Sequence, residues 1–336
     1  MDESELYRCG SCGYCLDSCA VYSTTLIESL SPRGKLLLLR KYTEGTLTDP
    51  AVLSEKLYAC TLCGRCEDVC PSHTHIPAAI QWWRETHRFN QSILQPRVDS
   101  VDRYGNPYSQ PQGARTAWHP NHDPDADTIY FPGCTTSLFQ PHVATGFMNL
   151  MEGKVPVHIL DDRCCGSVLA KTGFREESQK TIQKTVDFVS ERGTKTLITS
   201  CAGCYSFFLE YPWNIEVYHT SQIIDRYLDE LHVHSLHTTY HDPCHLIKTA
   251  VTAQPRRILK TLSQYTEKAE QSCCGAGGGL LLNYQELADT ICRSLLAQSP
   301  YHTLVTACPF CLYHMKRNTL RKIISIEELA ASCLTE

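Results

Sequence analysis

The sequence predicts an α+β multidomain chain, with a helical N-terminal domain organised by cysteines and two repeated α/β half-domains behind it. Three observations predict it. Eight cysteines between Cys9 and Cys70 fall into two four-cysteine runs joined by segments with helix start signals. From Thr128 onward, short β-rich runs alternate with helical stretches. Within that second region one pattern of five cysteines occurs twice in nearly constant register. At 336 residues the length suits about two domains. The composition places them at 1–90 (cysteine-rich helical domain), 91–127 (extended linker), 128–235 (first half-domain) and 236–336 (second half-domain).

A hydrophobic content of 42% with 20% charged residues is enough to bury a core and excludes a disordered chain. The net charge is −5 with no long basic run, which argues against nucleic acid as a partner. The apolar run Leu36-Leu37-Leu38-Leu39 is far shorter than the ~20 residues that span a bilayer, so no membrane span of its own is expected. Met1-Asp2-Glu3-Ser4-Glu5 is acidic where a signal peptide is basic and then apolar. The expected location is cytoplasmic, with any membrane association made through a partner. Twenty cysteines in a reducing compartment are read as metal ligands before they are read as disulfides.

In the N-terminal domain, Ser31 is a helix cap with Pro32 in the first position, opening a helix through Lys35–Tyr42 that stops at Gly45. Asp49 and Pro50 repeat the signal for residues 51–58, and Pro77–Phe89 reads as a third helix. The linker is read from its Pro, Gln, Asn, Asp and Gly content, with Gly105-Asn106-Pro107 and Pro111-Gln112-Gly113 as turns. Strands are expected at Thr128–Phe131, Val157–Leu160, Thr196–Thr199, Thr238–Tyr240 and Thr303–Thr306, with helices at Glu176–Arg192 and Tyr284–Gln298. Strands alternating with helices favour parallel sheets, whose C-terminal edges usually carry the sites.

Cys9, Cys12, Cys15 and Cys19, and then Cys60, Cys63, Cys66 and Cys70 followed by Pro71, have the spacing of a two-cluster ferredoxin run. Two-residue gaps let one tight loop present three thiolates to a single cube, and thiolates select iron–sulfur clusters or zinc. Zinc closes with four ligands and has no need of two matched runs. In such runs the fourth cysteine serves the other cluster. One cubane [4Fe-4S] cluster is therefore assigned to Cys9, Cys12, Cys15 and Cys70, and the other to Cys60, Cys63, Cys66 and Cys19. Helices between the runs make this a helical two-cluster ferredoxin domain rather than the compact β-rich type. Ala20 stands where proline usually follows the fourth cysteine.

The first repeat holds Cys134, Cys164, Cys165, Cys201 and Cys204, and the second Cys244, Cys273, Cys274, Cys308 and Cys311. Equivalent cysteines are offset by 110 (134 to 244), 109 (164 to 273 and 165 to 274) and 107 (201 to 308 and 204 to 311). Five thiols exceed what a cube or a tetrahedral zinc requires. Adjacent cysteines also point apart along extended backbone, which suits a larger or irregular cluster. A scaffold with zinc in one half stays open at this point.

With Phe131-Pro132-Gly133-Cys134, Cys164-Cys165-Gly166, His241-Asp242-Pro243-Cys244-His245, Cys273-Cys274-Gly275-Ala276-Gly277-Gly278 and Cys308-Pro309-Phe310-Cys311, the chain resembles the CCG-domain iron–sulfur family over nearly its whole length. In particular it resembles the D-type subunit of heterodisulfide reductase. The resemblance implies a noncubane [4Fe-4S] cluster at each complete five-cysteine set. It also implies cleavage of the disulfide between coenzyme M and coenzyme B. The stretch Ser31-Pro32-Arg33-Gly34-Lys35 equally resembles the glycolate oxidase iron–sulfur subunit. That type implies a separate flavoprotein partner acting on glycolate, lactate or glycerol-3-phosphate. The expected partners are thus other subunits of a redox complex, a flavoprotein or a membrane cytochrome b, with a small thiol or disulfide as substrate.

Several residues invite plainer readings. Gly275, Gly277, Gly278 and Gly279 lack the nucleotide-loop spacing and are expected to give close backbone approach and N–H groups to sulfur. His241 and His245 flank Cys244 and are candidate proton donors, with packing as the alternative. His73, His75, His119 and His122 lie in turn-rich segments and are expected in solvent. Cys292 and Cys333 lack spaced partners and are expected as plain thiols. Trp82-Trp83 is an interface anchor or, more commonly, helix core.

Overall fold

The computed structural model describes residues 3–89, 91–115, 122–269, 271–300 and 302–334. His119 lies outside them. Among the described residues the helices are α1 Ala20–Thr25, α2 Pro32–Thr43, α3 Pro50–Tyr58, α4 Arg65–Asp68, α5 Ile76–Thr86, α6 Gln91–Tyr104, α7 Cys134–Phe139, α8 Pro141–Met151 and α9 Ser167–Lys171. They continue with α10 Arg175–Glu191, α11 Ala202–Phe208, α12 Thr220–Ile224, α13 Cys244–Lys248, α14 Ala253–Leu262, α15 Leu280–Asn283, α16 Gln285–Ala297, α17 Pro309–Arg317 and α18 Ile326–Ala331. The strands are β1 Thr128–Phe131, β2 His158–Ile159, β3 Thr196–Thr199, β4 Glu216–His219, β5 His237–His241, β6 Gln264–Thr266, β7 Thr303–Thr306 and β8 Ile323–Ser325.

Two compact units share the chain. The first comprises Met1–Val98, Val168–Ser178 and Ser272–Gln298; the second comprises Asp99–Ser167, Gln179–Gln271 and Ser299–Glu336.

The first unit is helical. The Ser31 hydroxyl accepts from Gly34 N at 2.9 Å and Asp49 Oδ1 from Ala51 N at 2.8 Å, so both caps act where the sequence puts them. Leu36, Leu39, Leu53, Leu57, Ile80 and Trp83 form its main core. Trp83 is that core's largest side chain, and its indole N–H donates to Ser54 Oγ at 2.9 Å. A second cluster packs Val21 of α1 and Ala59 against Leu280, Ala288 and Ile291. The Cys-Cys-Gly loop of the second repeat and α15–α16 behind it therefore belong to the body that holds the four-cysteine runs.

The second unit holds two four-stranded, wholly parallel sheets of order β2-β1-β3-β4 and β6-β5-β7-β8. The same order in each follows from the internal repeat. Phe131 pairs with Thr199 in one sheet where His241 pairs with Thr306 in the other. The strands β4, β6 and β8, at sheet edges, are too short and mixed to have been expected from pattern.

The extended linker expected over 91–127 is corrected by α6, which occupies its first fourteen residues despite Pro96. Leu94, Val98 and Val101 are buried at i, i+4 and i+7, a helical stripe that the turn-forming composition around it obscured. No described helix is long and apolar enough to cross a membrane.

Candidate metal centres

The two N-terminal runs share one loop geometry. Ser11 and Gly13 in the first, and Leu62 and Gly64 in the second, have φ of 57°, 94°, 55° and 83°. A left-handed residue on each side of the middle cysteine curls the backbone so that successive N–H groups face inward, the concavity that binds anions. Accordingly Leu62 N donates to Cys60 Sγ at 3.4 Å; in the separate loop after Cys70, Thr74 N donates to Cys70 Sγ at 3.5 Å.

Cys19, Cys60, Cys63 and Cys66 line one pocket with Lys35, Thr61, Gly64 and Pro77. The fourth cysteine of the first run thus stands with three from the second. Burial pushes the Cys66 thiol up, and Cys60, Cys63 and Cys19 around it add to the effect. Burial also raises Cys19, against the pull of Lys35. Cys15 is buried, Cys9 half-buried and Cys12 exposed. A Cβ at Gly10 would stand 4.0 Å from Ser72 Oγ, so the loop after Cys70 runs beside the first run.

In the second unit, Cys134, Cys201, Cys244 and Cys308 each follow the C-terminal end of a strand, β1, β3, β5 and β7 in turn. The thiols of the first repeat are brought together. Cys134 is hydrogen-bonded to Cys164, Cys165 to Cys164 and Cys204, and Cys201 to Cys204. Cys165 is held down to about 5 by the hydrogen bonds from Cys164 and Cys204. Cys134 is pushed up by its bond to Cys164 and then by burial. Buried thiols sharing protons in this way cannot all ionise in an apolar cavity unless a cationic centre binds them. The donor set fits an iron–sulfur cluster.

Cys308 of the second repeat is hydrogen-bonded to Cys201 of the first, so these two cysteines of the second unit adjoin. Cys311 offers its sulfur within 4.8 Å of a ring nitrogen of buried His241. Cys244 Sγ lies 3.6 Å from His245 Nδ1. Cys273 and Cys274 sit in the first unit. There the Cys273 thiol donates to Thr61 Oγ1 at 3.5 Å and is hydrogen-bonded to Cys63. That bond, followed by burial, raises the Cys63 thiol well above its ordinary range.

Both Cys-Cys-Gly triplets use their glycine alike. Gly166 at φ 90° and Gly275 at φ 86° turn the chain so that Gly166 N reaches Cys164 Sγ and Gly275 N reaches Cys273 Sγ, each at 3.4 Å. Cys292 is buried in α16, its thiol raised by burial and by the nearby Cys274, and Cys333 is buried near the C-terminus. His73, His75 and His122 are exposed.

Sequence reading missed Thr61, Arg84 and Arg115. Arg84 lies at i+8 from Ile76 and i+4 from Ile80, on the buried stripe of α5, and that placement was its signal. Arg115 is fully buried against Asp161, with Nη1 2.7 Å from the Asp161 carbonyl and 3.5 Å from its carboxylate.

The chain matches the 4Fe-4S dicluster domain over residues 5–74 and the cysteine-rich CCG domain over 128–208 and 238–316. The chain belongs to the CCG-domain iron–sulfur protein family. It is 28% identical to the D chain of the dihydromethanophenazine:CoB--CoM heterodisulfide reductase of Methanosarcina barkeri, covering 97% of this chain and 92% of that one. It is 27% identical to the B chain of the fumarate reductase (CoM/CoB) of Methanothermobacter marburgensis over 94% of this chain and 68% of the relative. The probable glycolate oxidase iron-sulfur subunit of Bacillus subtilis is 24% identical over 97% and 91%. As a member of this CCG-domain family the chain is an iron–sulfur electron-transfer subunit with a redox role.

Proposed function

We propose that the chain takes electrons from a partner protein through two N-terminal cubane clusters to its Cys-Cys-Gly sites, where a disulfide of the coenzyme M–coenzyme B type is reduced. Cys9, Cys12, Cys15 and Cys70 hold the first cubane, and Cys60, Cys63, Cys66 and Cys19 the second. Cys134, Cys164, Cys165, Cys201 and Cys204 hold one noncubane cluster. Cys244, Cys273, Cys274, Cys308 and Cys311 hold the other, an assignment that rests on the repeat and the family resemblance. Bound there, the clusters supply one-electron steps and thiophilic iron. The reaction balances as R–S–S–R′ + 2 e⁻ + 2 H⁺ → RSH + R′SH.

The hydrogen bond between Cys63 and Cys273 carries this reading. It puts a thiol of the second four-cysteine set in contact with a thiol of a Cys-Cys-Gly triplet, inside one compact unit. Within the second unit, Cys201 of the first repeat is likewise hydrogen-bonded to Cys308 of the second. Gly166 and Gly275 orient the sulfurs with their N–H groups, and burial excludes water. His245, beside Cys244, and buried His241 are the candidate proton donors to the leaving thiolates.

The near full-length match to the glycolate oxidase iron-sulfur subunit favours a second reading. In it a flavoprotein oxidises a 2-hydroxy acid or glycerol-3-phosphate, and this chain carries the electrons onward. In the first reading a membrane cytochrome b is the partner. Adding coenzyme M to anaerobically purified, oxidised protein decides between them. A new paramagnetic signal from a noncubane cluster is expected. Intact clusters with no such signal, reduced instead by a flavoprotein and its hydroxy acid, would favour the second reading.

A further inference from the structure

Two buried cations flank the second four-cysteine set, and the electron path above leaves them without a role. Arg84 is fully buried. Its Nη1 donates to the carbonyls of Lys171 at 2.8 Å and Gly278 at 2.7 Å, and its Nη2 to those of Leu57 at 2.8 Å and Cys60 at 2.9 Å. The guanidinium also lies 4.7 Å from the Tyr58 ring centroid. Among the described residues, the acidic groups it senses are Cys60, Tyr58 and Tyr284, with no carboxylate among them. Lys35 is 2% exposed, lines the pocket with Cys19, Cys60, Cys63 and Cys66, and donates its ammonium to the Leu30 carbonyl.

Carbonyl dipoles satisfy the hydrogen-bonding geometry of these cations but do not cancel their charge. A buried charge without a counter-ion is costly. The anions within reach are thiolates, so the charge is compensated when this set is ionised and, more fully, when it also holds an added electron. The first set is built differently. Arg33, which reaches Ser11 O at 3.3 Å, is neutralised by Glu28 at 2.7 Å on the exposed surface. Arg40 reaches Cys9 O at 3.4 Å but is only half-buried, where water weakens its field.

Resting on the cluster reading above, we propose that Lys35 and Arg84 are positioning residues that raise the reduction potential of the second cubane above that of the first. An electron entering from a one-electron donor at the surface set then resides at the set beside Cys273. No bond is made or broken; one cube is oxidised and the other reduced by one electron.

The test is a redox titration of the whole, anaerobically purified protein with dithionite, followed by electron paramagnetic resonance. Two cubane signals with separate midpoints are expected, and the higher one should be the signal altered in Cys66→Ser. Lys35→Met should lower that midpoint toward the other while leaving the other in place, and Lys35→Arg should restore it. Arg84→Lys, which keeps the charge but not the fork, should lose stability while retaining the potential. If Lys35→Met does not fold, Lys35→Gln keeps a donor to Leu30 O and gives the same readout. Both midpoints unchanged in the neutral variant, or both moved equally, overturns the inference. Wild-type protein lacking the two cubane signals overturns the cluster reading itself.

Discussion

Gly278→Ala tests how tightly the Cys-Cys-Gly loop of the second repeat is seated against the second four-cysteine run. Gly278 has φ 60°, and an added Cβ would stand 2.5 Å from the Thr61 carbonyl carbon and 2.6 Å from the Cys60 and Thr61 oxygens. All three are backbone atoms, so no side chain can swing away. The left-handed conformation costs about 1 kcal/mol for alanine. Relieving the overlap costs about 1–3 kcal/mol more. Shifting the loop also weakens the charged hydrogen bond from Arg84 to Gly278 O, worth about 1.5–3 kcal/mol. The expected loss is about 3.5–7 kcal/mol, read as a fall in the urea midpoint by tryptophan fluorescence, and iron content should fall with it. Gly45→Ala is the control: φ is 72° there but nothing lies within 4 Å, so only about 1 kcal/mol is expected. Equal losses in the two variants would refute the close approach.

Other outcomes follow from the same packing. Glu327 is fully buried, its carboxyl pushed up to about 7 by burial although Thr220 donates to it at 2.5 Å. Its folded value lies above its unfolded one, so its contribution is present below pH 4.5 and lost as pH rises through 7. Against Glu327→Gln, the wild type should therefore lose about 3 kcal/mol between those limits, and parallel urea midpoints would contradict this. Asp161 holds buried Arg115 and accepts from Ser137 Oγ at 2.5 Å. Asp161→Ala should cost about 3–5 kcal/mol by calorimetry, because it strands a buried cation. Cys292→Ala should keep the full iron content, whereas Cys66→Ala should lose iron from the second four-cysteine set; elemental analysis separates them.

The sequence by itself determined everything that depends on local spacing. Two-residue gaps fix the loop that presents three sulfurs, and the near-constant offset between repeats fixes two matching parallel sheets. Ser31-Pro32 and Asp49-Pro50 fix two helix starts. These are short-range effects: a turn, a cap or a pleat is decided by residues within a few positions of one another.

The tertiary structure decided what stands next to what across hundreds of residues. That Cys63 meets Cys273, and that Cys201 meets Cys308, follows from how α1 packs on α16 and how two strand ends align, which no spacing encodes. It also decided which charges are buried. Arg84 reads as an ordinary helix-end arginine until Leu57, Cys60, Lys171 and Gly278 turn their carbonyls toward it. Sheet-edge strands such as β4 and β8 and the helix α6 were hidden for a related reason. Their conformation is set by partners distant in sequence, and their composition alone reads as turn or loop.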